Sequence, residues 1–112
     1  MRVLEGAGRY TDPAPDEVHW GENLRTEDLS VGTYSIRAGG TDGQAPHTEA
    51  EIYVITQGRA TLESDDRNAA VGPGSVVCVA ARENHRFVDV AEDFAALVLF
   101  APAEYSRAGP EG

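Results

Sequence analysis

The stretch Ala45-Pro46-His47-Thr48-Glu49-Ala50-Glu51-Ile52-Tyr53, continued through Val54 to Ile55, decides the fold. Alternate side chains of an extended strand share a face. His47, Glu49, Glu51, Tyr53 and Ile55 therefore have one parity. If that parity faces the inside of a barrel, an imidazole, two carboxylates and a phenol point into one cavity. Polar groups there are costly unless they are paired or bound to a metal.

The surrounding chain supports a barrel. Residues 31–38 form a first short apolar run, and 51–57 and 59–64, parted by Gly58, read as a hairpin. Residues 75–80 leave the turn Gly72-Pro73-Gly74, which no helix follows, so this is a hairpin turn and not a phosphate loop. Residues 85–90 and 94–101, joined by Ala91-Glu92-Asp93, complete the set. No long window keeps a helical period, and residues 25–29 could supply one turn at most. Short strands with frequent turn signals predict an all-β sandwich or barrel.

Residues 1–30 hold 7 acidic and 3 basic side chains and few apolar ones. They read as an N-terminal arm with one short strand near 18–24, pinned by Trp20 and Leu24 to the core or to a second subunit. Residues 31–102 form the core barrel, and residues 103–112 a polar tail expected to fray.

At 112 residues the chain supports one domain, and 41% apolar with 25% charged residues is ordinary for a globular one. The net charge is -10, and all 9 basic residues are arginine. Lacking lysine, the chain can form neither a lysine Schiff base nor a phosphate-loop lysine contact. Its acidity argues against nucleic acid and anionic membrane partners, whose affinity comes from cationic side chains. The single cysteine, Cys78, rules out an internal disulfide and reads as a small core residue. Residues 1–10 lack an apolar signal core, and the apolar run 94–102 is far short of the ~20 residues of a membrane helix. A cytoplasmic protein is expected.

Beyond the first stretch, Asn84-His85-Arg86-Phe87 opens a later strand. Together these segments resemble the cupin superfamily of small jelly-roll barrels. The family's first motif runs Gly, five residues, His, one residue, His, three or four residues, Glu, six residues, Gly. Here Gly39, Ala45, His47, Glu51 and Gly58 keep that register. The second motif runs Gly, five residues, Pro, one residue, Gly, two residues, His, three residues, Asn. Here Gly74, Ala80, Arg82, His85 and Asp89 keep it. Ala45 replaces one usual metal ligand, whereas the changes at Ala80, Arg82 and Asp89 soften a turn and remove none.

The resemblance implies that His47, Glu51 and His85 bind a divalent metal. Fe(II) is the favoured ion, with Zn(II), Mn(II) and Ni(II) as alternatives. Gln44, beside the lost ligand, and Glu49, sharing parity with Glu51, are candidates for a weak fourth donor. Tyr53 has two readings: a core aromatic, or a proton carrier beside the metal, two residues after the ligating Glu as in some cupin lyases. Glu49 is the second candidate proton carrier. Arg37 and Arg86 are either guides for an anionic substrate at the pocket mouth or solvated surface arginines. The expected function is a metal-dependent enzyme acting on a small organic molecule in the barrel, of oxygenase, cyclase, isomerase or lyase type. The alternative is a non-catalytic binding module, which Ala45 favours. Exposed sheet edges suggest a homodimer, with the N-terminal arm a candidate for exchange between subunits.

Overall fold

The computed structural model describes residues 1–43 and 46–108. Its strands run β1 (His19–Arg25), β2 (Ser30–Ile36), β3 (Ala50–Gln57), β4 (Ala60–Ser64), β5 (Asn68–Val71), β6 (Val76–Val79), β7 (His85–Val88) and β8 (Phe94–Ala101). They form a five-stranded sheet in the order β1-β2-β8-β3-β6 and a three-stranded sheet in the order β5-β4-β7. Every pairing is antiparallel. The fold is an all-β jelly roll, and among the described residues no ladder joins its two sheets. Among the described residues no helix is long and apolar enough to cross a membrane.

The strands follow from their sequences. β2 reads Ser-Val-Gly-Thr-Tyr-Ser-Ile, is buried at every position and lies between β1 and β8. Its small residues admit close neighbours. A Cβ on Gly32 would stand 2.1 Å from Cη2 of Trp20, so the glycine makes room for the indole on the sheet. Gly58 turns β3 into β4 with φ +79°, and a Cβ there would stand 2.3 Å from the Asp93 carbonyl oxygen. Both its conformation and its space call for glycine. Phe87 of the small sheet packs edge-on against Tyr53 of the large one at 4.9 Å and against Phe94 at 4.8 Å, which closes the core between the layers.

The structure differs from the sequence expectations at four places. β5 was not anticipated: Asn-Ala-Ala-Val has weak strand propensity, and its pairing with β4 supplies what propensity does not. Residues 26–29 form a turn closed by the Thr26 N–H on the Leu29 carbonyl, with no helical turn. Cys78 is exposed, because the short edge strand β6 turns Val79 inward and Cys78 outward. The tail also differs from a frayed end: Ala103 and Glu104 are buried, and the Glu104 N–H donates to Ser30 Oγ at 2.8 Å.

Candidate metal centre

β3 alternates as its sequence predicts. Glu51, Tyr53 and Ile55 are buried, while Ile52 faces out. His47 precedes the strand and is buried as well. Its carbonyl accepts the Arg82 N–H at 2.7 Å, which ties the loop before β7 to the loop before β3. β7 opposes β4 with His85 against Ser64, so His85 enters from the other sheet. One ligand atom each from His47, Glu51 and His85 falls within a 4.8 Å group, and all three residues are buried.

The nitrogens and oxygens of this group are unevenly satisfied. His85 Nδ1 lies 2.9 Å from the Glu83 carbonyl, which can only accept, so Nδ1 carries a hydrogen and Nε2 faces inward. Nε2 meets Tyr53 Oη at 3.0 Å and Glu51 Oε1 at 3.0 Å. Burial opposes a charge on this ring, but the Glu51 carboxylate and the Glu83 carbonyl outweigh it and hold the His85 pKa above the ordinary range. Positive charge is thus favoured at the point where Nε2 and Glu51 meet. His47 Nδ1 stands 3.6 Å from Glu51 Oε1 and is buried with no hydrogen-bond partner, and that oxygen has His85 Nε2 on its other side. An unsatisfied buried polar group costs about 1–3 kcal/mol, more when charged. Two imidazoles and a carboxylate converging on such atoms fit a divalent first-row ion.

His47 and Glu51 of this group, with Tyr53, line a cavity of about 540 Å³, within the range of small-molecule sites. Trp20, Tyr34, Val98, Phe100 and Tyr105 supply its apolar wall. Tyr34 Oη donates to Asp42 Oδ1 at 2.6 Å, and Asp42 Oδ2 accepts the Phe87 N–H at 2.8 Å. Burial, reinforced by the Asp42 charge, raises the Tyr34 pKa far above the usual phenol range, so this group stays a donor. From the tail, Glu104 Oε2 lies 2.9 Å from His47 Nε2, and the Tyr105 ring stacks on His47 at 5.7 Å.

The comparisons with known proteins agree with this architecture. The family model described as Cupin domain matches residues 32–102. The chain belongs to the cupin superfamily. An uncharacterised protein of Streptomyces coelicolor is 42% identical to this cupin over 81 residues, covering 72% of this chain and 77% of that protein. A cupin superfamily protein from Desulfitobacterium hafniense superposes with a TM-score of 0.70 at 18% identity, covering 81% of this chain and 83% of that one. The DMSP lyase DddQ from Ruegeria pomeroyi gives 0.72 at 21% identity, covering 89% of this chain and 54% of that one. At these identities the structures share the fold alone.

Of the residues singled out in the sequence, His47, Glu51, His85 and Tyr53 come together in this cupin. Glu49 does not join them. Its Oε1 accepts the Tyr105 N–H at 2.5 Å, and its Oε2 accepts the Arg107 N–H at 2.9 Å and the Thr48 hydroxyl. Burial alone would raise its pKa, but these hydrogen bonds win and hold the carboxyl below the ordinary range. With both oxygens occupied, Glu49 anchors the tail, and neither the fourth-donor nor the proton-carrier expectation matches that placement. Gln44, the other candidate donor, lies outside the described residues, as does Ala45. Arg37 pairs with Asp12 and Arg86 with Glu63, each at an exposed site away from the cavity lining. Asp42 and Glu104 were missed. Neither belongs to a motif, and only their burial as acids marks them.

Proposed function

We propose that this cupin is a divalent-metal-dependent enzyme acting on a small, largely apolar organic molecule in the barrel cavity. The observation that carries the reading is the convergence of His47 Nδ1, buried without a hydrogen-bond partner, and His85 Nε2 on Glu51 Oε1, with His47 and Glu51 at the wall of an aromatic pocket. His47, Glu51 and His85 would hold the ion, with iron favoured and zinc, manganese or nickel as alternatives. When bound, it would supply Lewis acidity or, if iron, redox chemistry.

The chain's own groups do the rest. Trp20, Phe100 and Tyr105 exclude water and receive the apolar body of the substrate. Tyr53 Oη, hydrogen-bonded to His85 Nε2, would give or take a proton on the substrate. No arginine lines the cavity among the described residues, so an anionic substrate would find no cationic side chain there. In this reading the working protein is cytoplasmic and a homodimer, the latter checked by sedimentation. A non-catalytic binding module is the rival reading, which the alanine at position 45 favours.

Metal-loaded protein incubated with a pool of small metabolites, followed by mass spectrometry, tests the reading. The expected result is depletion of a compound by the wild type and not by Glu51→Gln. Saturable binding of a compound with no turnover under any of the four metals would replace the enzyme with the binding module.

A further inference from the structure

We propose that Glu104 is a positioning residue of the metal centre: its carboxylate holds His47 in the Nε2–H tautomer and so turns the Nδ1 lone pair toward Glu51. The inference rests on the metal-binding reading for its consequence, but the tautomer itself stands on geometry alone. Glu104 Oε2 lies 2.9 Å from His47 Nε2, and an ionised carboxylate only accepts. The hydrogen of a neutral His47 ring therefore belongs on Nε2. That leaves Nδ1, which has no hydrogen-bond partner and sits 3.6 Å from Glu51 Oε1, as the donor atom.

His85 is built on the same plan with the nitrogens exchanged. The Glu83 carbonyl stands behind its Nδ1, and its Nε2 faces Glu51. Each imidazole thus has an acceptor at its back and the Glu51 carboxylate in front. Metal-binding histidines are commonly held in this way, and the partner at the back makes the ring a better donor. Glu104 meets His47 through Nε2, whereas Nδ1 faces Glu51.

Glu104 is itself fixed. Its N–H donates to Ser30 Oγ at 2.8 Å, and its carbonyl accepts from Arg25 Nη1 at 2.9 Å. Glu49 pins the two following turns of backbone through the amides of Tyr105 and Arg107. Tyr105 lies against the His47 ring with 29° between the planes, which restricts its rotation. The C-terminal turn is in this way part of the centre, although it carries neither cupin motif.

Long-range ¹⁵N–¹H correlation spectra of the full-length chain, stripped of metal and held at alkaline pH, read the His47 tautomer directly. Zn²⁺ alone, titrated against a competing chelator, reads the consequence. In the wild type and in Glu104→Gln, whose amide oxygen still accepts, His47 is expected as the Nε2–H form, with Zn²⁺ affinities within a few-fold of each other. In Glu104→Ala the tautomers mix and Zn²⁺ affinity falls about 10–100-fold. If the alanine variant does not fold, Glu104→Met, which fills a similar volume, carries the same two measurements. An unchanged Nε2–H signal in Glu104→Ala or Glu104→Met overturns the proposal, because a purely structural role would leave the tautomer intact. Loss of the Nε2–H form with no Zn²⁺ bound by the wild type would instead overturn the metal reading and leave the positioning role standing.

Discussion

Glu49 accepts the backbone N–H of Tyr105 at 2.5 Å, and its second oxygen accepts that of Arg107. One side chain at the start of β3 thereby docks the C-terminal turn over the cavity. Glu49→Gln keeps the shape but replaces one acceptor with an NH₂ donor facing a backbone donor. The expected loss is about 1–3 kcal/mol of folding stability, with faster amide hydrogen exchange at Tyr105 and Arg107. Unchanged protection at both amides would show that the turn is held by other contacts.

Trp20 rests on the open face of Gly32, and it is the single tryptophan of the chain. Gly32→Ala should displace the indole, at a cost of about 1–3 kcal/mol for overpacking. Red-shifted tryptophan emission together with a lower denaturation midpoint is the expected result. An unshifted emission maximum would mean that the sheet gives way and the indole stays.

Arg82 and Asp89 stand where the family's second motif has Gly and Asn, and both keep positive φ, +67° and +49°. A left-handed conformation costs an ordinary residue about 1–2 kcal/mol. Glycine removes that cost but adds about 0.5–1 kcal/mol of chain entropy to the unfolded state. Arg82→Gly should therefore stabilise by roughly 0.5–1 kcal/mol, and it retains the N–H that bonds the His47 carbonyl. Urea denaturation decides the sign, and destabilisation would mean that the arginine side chain makes a contact worth more than the strain.

Tyr53→Phe removes the hydroxyl 3.0 Å from His85 Nε2 and leaves the buried ring against Phe87. Metal content should survive while turnover falls about 10²–10⁴-fold, the usual contribution of a positioned acid or base. Full activity in the variant would return Tyr53 to the role of a core aromatic.

The strand face from Glu51 to Ile55 was legible because its period of two needs no knowledge of the partner strands. The two motif registers pointed to the jelly roll for the same reason: their spacings are local. The approach of His85 to Glu51 was not legible locally, because it depends on how β7 in one sheet faces β3 in the other. Glu104 was hidden further, in a tail whose polarity looks like solvent exposure until Ser30, Arg25 and Glu49 are placed beside it. Cys78 misled because β6 is apolar on both faces although it lies at a sheet edge.

The central claim is that His47, Glu51 and His85 grip one cation together. Elemental analysis of the full chain, purified without chelator and then reloaded with Fe²⁺, Mn²⁺, Ni²⁺ or Zn²⁺, tests it most directly. The account predicts a stoichiometric divalent ion in the wild type, and affinity at least about tenfold weaker in His47→Ala, Glu51→Gln and His85→Ala alike. A wild type that holds none of the four ions, or triad variants that hold them as tightly, would contradict it.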